Sequence, residues 1–508
     1  MEGRVPSDPN PPDLILVSDL HLGRGRLSGT GRYHALETFF FDEDFLDFCQ
    51  GLVAEAEQRR TPFRLIFNGD TFDLLRIEPA HVGPSAARRE RRFGAPVTPE
   101  VAAEMMTSIL AGHPAWVEAV ALVLAAGHGV LFLPGNHDVE LQWEPVQRPL
   151  REAVAEALRR RGAGVEEALG RLVFEPWFHH EPGRIWVEHG SQYDPECSFR
   201  YPLRAGQPAL WDGPALERDM PLGNFFQRYL YNAFGAITFI VPSTRANSRY
   251  LRWLVWNRPG LLLRVLSGHG PFSLQLLRRV AMTAGGMSPQ EEAHRAELER
   301  LAAGSGLGRT LHDIDALKHV PPNLAQAARA VVWPLARLVL LALTVGLGGF
   351  GLWFAAFGAI THLQAGLGFK TVLFLGMHLA LMAVLLGGLA WRLLRAPAAP
   401  PRPLRRAAGH IARLLGVPIV TFGHIHEEVV APLDTGAPGA ATYFNTGTWI
   451  SVFTHEPLLP RERIQFSFLR VRGHQAELLH WSPSRGRAVP AILFEEDEHA
   501  VEPGVRAA

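Results

Sequence analysis

Cysteine is nearly absent from this chain of 508 residues, which holds only Cys49 and Cys197. Two cysteines cannot build a disulfide framework, so a reducing compartment is expected and both side chains are expected to be small buried apolar groups. Net charge is also absent, because 50 Lys and Arg balance 50 Asp and Glu, and no nucleic-acid partner is expected. The first residues lack the apolar core of a secretory signal, so the amino terminus is expected in the cytosol.

The chain does contain a series of short apolar runs that stop at Gly, Asp, Asn or His. These runs are Leu14–Val17, Phe63–Phe67, Val130–Leu133, Arg184–Glu188 and Ile419–Phe422. Short apolar runs of this kind predict buried strands, and the stretches near 40–60, 99–126 and 145–161 between them are predicted helices. Residues 463–470 and 475–481 are predicted to pair as closing strands. This alternation predicts an α/β fold with ligands at the carboxyl ends of the strands.

Side chains that commonly bind divalent cations follow each of these predicted strands. They are Asp19, His21, Asp70, Asn136, His189, His424 and His426. Each has an ordinary alternative, such as a helix cap, a turn or a hydrogen-bonded histidine. Their joint occurrence at strand ends favours a site for two metal ions. Carboxylate and imidazole ligands suit Mn, Fe and Zn, with Mn preferred here.

A long insertion separates the fourth of these strands from the fifth. Within it, residues 224–286 interleave aromatic side chains with Arg. Such a pattern is typical of a helix at a membrane interface, and an amphipathic helical cap over the catalytic domain is an equal alternative.

The insertion also contains two apolar segments, Leu338–Ile360 and Thr371–Trp391, without a single Asp, Glu, Lys or Arg. Each is long enough to span a membrane, which needs about 20 apolar residues. Arginines cluster outside the pair, at Arg329, Arg337, Arg392, Arg395, Arg402, Arg405 and Arg406. In the turn at 361–370, Lys370 is the only Asp, Glu, Lys or Arg. By the positive-inside rule the segments form a two-span hairpin, with the catalytic domain and both termini cytoplasmic.

Taken together, the polar motifs resemble those of the calcineurin-like metallophosphoesterase superfamily. The motifs are Asp-x-His at 19–21, Gly-Asp-x-x-Asp at 69–73, Gly-Asn-His-Asp at 135–138, His-Gly at 189–190 and Gly-His-x-His at 423–426. The first and last are most similar to the branch containing bacterial UDP-diacylglucosamine hydrolases, which cleave the pyrophosphate of a nucleotide-linked lipid. The resemblance implies a four-layer αββα sandwich, here interrupted by the helical insertion and its hairpin.

The resemblance also implies roles for individual residues. It implies a first metal ion held by Asp19, His21, Asp70 and His426, and a second held by Asp70, Asn136, His189 and His424. His137 would protonate the leaving group and Asp138 would orient its imidazole. Two cations about 3.5–4 Å apart can activate a bridging hydroxide for in-line attack on phosphorus. Arg200 and Arg204 are weaker candidates for a clamp on a second phosphate, or else ordinary surface charges.

The sequence therefore predicts a membrane-anchored, metal-dependent phosphoesterase acting on a phosphate ester or pyrophosphate, preferably lipid-linked. Two alternatives stay open: the same chemistry on a soluble nucleotide or phosphoprotein, with the hairpin as tether, and a non-catalytic membrane scaffold. The predicted organisation is a phosphoesterase domain at 1–194 and 397–490, a cap at 195–325, the hairpin at 326–396 and a flexible tail at 491–508. The sequence does not predict an oligomeric state.

Overall fold

The computed structural model of the protein describes most of the chain outside the insertion. The described residues are 11–78, 97–204, 206–208, 216–228, 232, 239–240, 260, 289–320, 349–394, 403–436, 441–455, 459–460 and 464–493. All structural statements below refer to these residues.

The described strands are numbered in chain order. They are β1 (Asp13–Val17), β2 (Phe63–Asn68), β3 (Gly129–Leu133), β4 (Leu172–Phe174), β5 (Phe178–Glu181), β6 (Ile185–Glu188), β7 (Gly206–Pro208), β8 (Leu216–Arg218), β9 (Phe239–Ile240), β10 (Ile419–Phe422), β11 (Glu428–Leu433), β12 (Ala441–Thr446), β13 (Val452–His455), β14 (Leu459–Pro460), β15 (Phe466–Arg472), β16 (Gln475–Ser482) and β17 (Arg487–Pro490).

The described α-helices are numbered in the same way, apart from a helical stretch at 349–362 whose start lies outside the described residues. They are α1 (Asp42–Arg59), α2 (Pro99–Gly112), α3 (Pro114–Ala125), α4 (Glu144–Arg160), α5 (Val165–Gly170), α6 (Leu222–Phe226), α7 (Pro289–Ser305), α8 (Arg309–Asp315), α9 (Leu367–Leu394) and α10 (Pro403–Leu415). Single-turn helices lie at Leu74–Arg76, Val139–Gln142, Ser191–Tyr193, Pro202–Arg204 and Pro483–Arg485.

Two mixed sheets form the centre of the domain. One has seven strands in the order β17-β16-β15-β1-β2-β3-β4, and the other has five in the order β11-β12-β10-β6-β5. Strands β1 to β4 run parallel, with Leu16 opposite Ile66 and Ile66 opposite Leu131. Strands β6, β10 and β12 of the second sheet also run parallel. The carboxyl ends of β1, β2 and β3 therefore lie along one edge, as do those of β6 and β10.

The sheets share a core because alternate residues of each strand point to opposite faces. Leu14 and Leu16 of β1 join a buried cluster that also contains Ile185 and Ile419 from the other sheet. Ile15 and Val17, one residue out of phase, instead belong to the cluster built with the helices on the outer face.

Each outer face is covered by amphipathic helices. Helix α1 buries Phe45, Phe48 and Leu52 at helical spacing against the first sheet. Acidic residues occupy its first turn, where their negative charge interacts favourably with the positive end of the helix dipole. Helix α10 buries Ala408 and Ile411 with residues of the second sheet. The predicted α/β class is confirmed, and each of the five strands predicted ahead of the polar motifs is present within one residue at either end.

One predicted helix is wrong in its extent. The stretch 99–126 forms two helices, α2 and α3, that meet at about 90°. The break falls at His113, whose φ of −126° and ψ of 55° are not helical. Pro114 explains this geometry, since proline disfavours the helical conformation in the residue before it and cannot donate a backbone hydrogen bond.

His113 forms a buried ionic cluster at this break. Its Nδ1 lies 2.8 Å from Asp42 Oδ1, and its Nε2 lies 3.5 Å from Glu37 Oε2. Burial opposes protonation of the ring, but the two carboxylates outweigh it and raise the pKa of His113 to about 9. Glu37 in turn accepts the main-chain N–H groups of Gly23 and Phe39, so the cluster secures the loop between β1 and α1.

We expect His113→Gln to destabilise the fold in a pH-dependent way. The pKa of His113 in the folded protein exceeds the ordinary histidine value of about 6.5. Below about pH 6.5 the protonated ring therefore adds up to roughly 3 kcal/mol to the free energy of unfolding. This contribution is lost as pH rises through about 9. Chemical denaturation in EDTA at pH 6, 7.5 and 9.5 measures the difference. The exposed His410→Gln on α10 is the control. A stability deficit that stays constant across this range would contradict the prediction.

The chain divides into two compact units, residues 1–321 with 401–508 and residues 322–400. The second unit contains the predicted hairpin, and residues 338–348 of that hairpin lie outside the described part. Its described portion is helical over 349–362 and again over α9, which begins at Leu367. The connection is therefore shorter than the predicted turn at 361–370.

Among the described residues, no one helix has both the length and the apolar character needed to cross a membrane. The bent pair α2 and α3 meets these criteria jointly, by length and composition alone. Most of the predicted interfacial or cap region, 224–286, lies outside the described residues.

Candidate metal centre

The seven predicted metal ligands lie just beyond the carboxyl ends of five strands. Asp19 and His21 follow β1, Asp70 follows β2, and Asn136 follows β3. His189 follows β6 in the second sheet, and His424 and His426 follow β10. Hydrogen bonds join the two sheets here, since Asp19 Oδ2 accepts the His424 main-chain N–H at 3.0 Å. The segments before and after the insertion thus meet at one place.

Asp19, His21 and His426 form the first group of ligand atoms. All three are buried, and their ligating atoms lie within 4.8 Å of one another. His426 Nε2 is 3.2 Å from Asp19 Oδ1 and 3.0 Å from His21 Nε2. Two imidazole nitrogens that face each other and a carboxylate form a donor set that suits a divalent cation.

Asp70, His189 and His424 form the second group, again within 4.8 Å of one another. His189 Nδ1 donates to the main-chain carbonyl of Asn68 at 2.9 Å, which leaves Nε2 to face Asp70 Oδ2 at 3.2 Å. Burial opposes protonation of His189, but the Asp70 carboxylate raises the pKa of the ring to about 10. A pocket that attracts a proton between these two groups has the charge to attract a metal cation.

Asp70 belongs to the second group and also approaches the first. Its Oδ2 faces His189, and it also lies 3.9 Å from His21 Nε2 in the first group. Its other oxygen accepts the main-chain N–H of His137 at 2.8 Å. The carboxylate is therefore fixed between the two ligand groups, as a bridging ligand must be.

Asn136 presents a buried side-chain oxygen in the loop that contacts Asp70. Its amide nitrogen donates to Asn224 Oδ1 at 3.0 Å, whereas its Oδ1 has no hydrogen-bond partner among the described residues. An unpartnered buried oxygen is costly unless something absent from the protein alone satisfies it. A cation would do so.

The backbone is strained at most of these ligands. Positive φ occurs at six described residues other than glycine, and five of them are Asp19, His21, Asp70, His424 and His426, with φ between 50° and 75°. The sixth, Arg60, ends helix α1. Left-handed conformations at non-glycine residues cost about 1–3 kcal/mol each and cluster at functional sites. The strained, destabilising conformations therefore occur at the same residues that the motifs indicate as metal ligands.

His137 is oriented by Asp73, which corrects the predicted role of Asp138. His137 Nδ1 lies 3.0 Å from Asp73 Oδ1, and the other Asp73 oxygen lies 2.8 Å from Arg76 Nε and 3.4 Å from His21 Nδ1. Burial opposes ionisation of Asp73, but His137 and Arg76 bring the pKa of its carboxyl well below the usual range. The same carboxylate outweighs burial at His137 and raises the pKa of that imidazole.

Asp138 turns away from the imidazole and binds main-chain N–H groups. Its oxygens accept from Gly135 at 2.6 Å, Thr71 at 2.8 Å and Phe72 at 3.1 Å. Burial and the nearby Asp70 charge raise the pKa of this carboxyl to about 7. Asp138 therefore holds the loops after β2 and β3 together, and its place is beside the site rather than against the imidazole.

Asp194 is a further site residue that the motifs did not indicate. Its Oδ2 lies 2.9 Å from His424 Nε2, and its side chain also groups with Cys197 around that histidine. The only sequence signal is its position shortly after His189-Gly190.

The two weaker candidates lie on the segment that follows Asp194. Arg200 is half-buried, whereas Arg204 is exposed at the end of a single-turn helix. The Arg300 guanidinium, with a smaller contribution from the Arg204 charge, lowers the pKa of Glu297 on α7. The role of Arg200 and Arg204 as a phosphate clamp stays a prediction.

Gly135 allows the loop after β3 to approach Asp70 closely. A Cβ at this position would lie 2.1 Å from Asp70 Oδ1 and 2.5 Å from its main-chain nitrogen. We expect Gly135→Ala to displace Asp70 and weaken binding of added Mn²⁺ by about 10-fold or more, measured by titration calorimetry. Gly164→Ala is the matched control, because nothing lies within 4 Å of its Cβ position. Unchanged affinity in Gly135→Ala would mean that Asp70 does not bind metal.

No protein-family model matches the chain, and no curated protein matches its sequence.

Proposed function

We propose that this protein is a phosphoesterase with a binuclear metal centre, of the calcineurin-like type and with that family's sandwich fold. The observation that carries the proposal is the meeting of six Asp and His side chains from four distant segments, five of them on a strained backbone. Asp19, His21, Asp70 and His426 would hold one ion, and Asp70, Asn136, His189 and His424 the other. Mn²⁺ is the preferred ion, with Fe and Zn as alternatives.

Two bound ions would supply Lewis acidity, both for activating water and for binding phosphoryl oxygens. The chain's own groups supply the rest. Asp70 lies between the two groups of ligand atoms. The Asp73 carboxylate fixes the orientation of the His137 ring through the ring nitrogen Nδ1. His137 Nε2 is then the nitrogen that can donate a proton to the leaving oxygen.

A raised pKa suits the His137 imidazole to the role of proton donor. Burial opposes protonation of the ring, but the Asp73 carboxylate favours the protonated imidazole and raises its pKa, which increases the share of rings that hold a proton to donate. A positioned general acid contributes about 10²- to 10⁴-fold to rate.

The preferred substrate is a lipid-linked phosphate ester or pyrophosphate. Support comes from the second unit, where large apolar side chains are exposed on both helices: Leu352 is 75% exposed and Leu367 is 82% exposed, with Phe354 and Leu375 also exposed. An exposed apolar surface of this kind marks a protein or membrane contact. Together with the arginines that flank the hairpin in sequence, it supports the proposal of a membrane anchor with a cytoplasmic catalytic domain.

The direct test is hydrolysis by the purified full-length protein in detergent with added Mn²⁺. We expect it to bind two ions per chain and to hydrolyse bis-p-nitrophenyl phosphate only with metal. A screen of a lipid extract against a pool of soluble nucleotides then identifies the substrate class. Turnover confined to soluble esters would favour the tether alternative. A protein without metal-dependent turnover on any substrate would favour the scaffold.

The hairpin can be tested separately by replacing residues 338–391 with a short polar linker. We expect the variant to lose flotation with liposomes and to stay in solution without detergent, while still binding two Mn²⁺ ions. The wild-type chain, which should float, is the control. A variant that still floats would contradict the hairpin as the anchor, and one that loses its metal would give the hairpin a part in building the site.

A further inference from the structure

Asn224 lies in the insertion, outside every motif, yet it contacts a predicted metal ligand. It belongs to the short helix α6 and is 1% exposed. Its Oδ1 accepts the amide N–H of Asn136 at 3.0 Å, and its own Nδ2 donates to the Asn136 main-chain carbonyl at 2.6 Å. The two asparagines, 88 residues apart, are thus joined by a reciprocal pair of hydrogen bonds.

This pairing determines which end of the Asn136 amide is available to a cation. An asparagine side chain carries an acceptor oxygen at one end and a donor NH₂ at the other, and only the oxygen can bind a metal ion. Because the NH₂ of Asn136 is held by Asn224, its oxygen is the end left without a hydrogen-bond partner in the described part of the chain. The flipped amide would place two carbonyl oxygens opposite each other and turn the NH₂ group toward the cation.

The segment that carries Asn224 is itself fixed to the site loops. Gly223 donates its N–H to the Glu196 carbonyl at 2.7 Å. Further along, the fully buried Arg228 donates to the Leu74 carbonyl at 3.4 Å, and Asn232 donates to the Leu75 carbonyl at 2.9 Å. Leu74 and Leu75 directly follow Asp73, and Glu196 lies two residues after Asp194, so the segment is attached to two loops that carry site residues.

We propose that Asn224 is a positioning residue which orients the Asn136 amide so that its oxygen binds the second metal ion. The inference rests on the proposed binuclear centre. It assigns the insertion a direct part in forming the metal site. An ion-binding site completed by the insertion would link metal loading to correct folding of the segment that leads toward the hairpin.

The test is titration of the metal-free full-length protein in detergent with Mn²⁺, followed by calorimetry and electron paramagnetic resonance. In wild type we expect two ions per chain and the spectrum of an exchange-coupled pair. In Asn224→Ala we expect the first ion to bind normally and the second to bind about 10- to 100-fold more weakly, the range found for partners of metal ligands. With two equivalents of Mn²⁺ per chain, Asn224→Ala should show the spectrum of an isolated ion in place of the coupled spectrum.

Asn232→Ala is the matched control, because it removes a buried asparagine from the same segment without touching a ligand. It should keep both Mn²⁺ sites at wild-type affinity. Excess Mn²⁺ should restore the coupled spectrum of Asn224→Ala, since the ligand is misoriented rather than missing, but should fail to restore that of Asn136→Ala. In the double variant Asn136→Ala/Asn224→Ala the loss should equal that of Asn136→Ala alone.

Three results would overturn the inference: wild-type affinity for the second ion in Asn224→Ala, additive losses in the double variant, or an equal loss in Asn232→Ala. If Asn224→Ala does not fold, as judged by circular dichroism in EDTA, Asn224→Leu keeps the volume without the hydrogen bonds and should show the same loss. Failure of the wild-type chain to bind two ions is a different outcome. It would reject the proposed centre itself, whatever Asn224 does.

Discussion

Replacement of Asp70 by alanine is expected to lower Mn²⁺-dependent hydrolysis of bis-p-nitrophenyl phosphate by at least about 10³-fold, because the two proposed ions would supply several kcal/mol of transition-state stabilisation. Asp70 is buried and faces both groups of ligand atoms, so its loss should weaken binding at both proposed ion sites. Its Oδ2 lies 3.9 Å from His21 Nε2 and 3.2 Å from His189 Nε2. The same variant should therefore bind fewer than two Mn²⁺ ions per chain.

Two further variants make this result specific. Asp70→Asn keeps an acceptor for the His137 main-chain N–H, which Asp70 Oδ1 binds at 2.8 Å, but removes the charge. We expect it to lose activity nearly as completely as the alanine variant. Asp47→Ala, on the exposed side of helix α1, is the control and should leave activity unchanged. Equal turnover in wild type and Asp70→Ala would reject the enzyme and leave the scaffold alternative.

The strand ends could be predicted from the sequence because their signals are local. A run such as Leu14–Val17 is apolar on both faces, as a strand between another sheet and helices must be, and it stops at polar residues. Parallel strands also place their carboxyl ends on one edge, so His21 and Asp70 could be expected to meet. The same local reasoning failed at His113, where a helical pattern continues through a proline that divides the helix.

The partners of the ligands could not be predicted, because they depend on contacts between distant segments. Asp138 is next to His137 in sequence, but its side chain points to the backbone of the neighbouring loop, and the carboxylate that reaches the ring comes from 64 residues earlier. Asp194 and Asn224 contact His424 and Asn136 across 230 and 88 residues. No periodicity or spacing specifies such a contact. Asp73 is the last residue of the Gly-Asp-x-x-Asp motif and could therefore be noticed in the sequence. Its contact with the His137 ring is evident only from the geometry.

His137→Gln is expected to show a loss that depends on the leaving group. With an alkyl phosphodiester or a lipid pyrophosphate, the departing oxygen needs a proton, and we expect kcat to fall about 10²- to 10⁴-fold. With p-nitrophenyl esters the departing phenolate is stable without a proton, so the loss should be much smaller. Metal content should stay at two ions per chain, since His137 is not among the predicted ligands.

Asp73→Asn tests the same step through the partner of the imidazole. Asp73 raises the pKa of His137, so its neutral replacement should lower that pKa and shift the alkaline limb of the pH–rate profile for alkyl substrates to lower pH. Below that limb the ring is protonated in both proteins, and the rates should converge. His474→Gln, on an exposed turn, is the control and should behave as wild type. Equal losses on alkyl and p-nitrophenyl substrates in His137→Gln would reject the proton donor and assign the ring to phosphate binding, where it stabilises charge on every substrate alike.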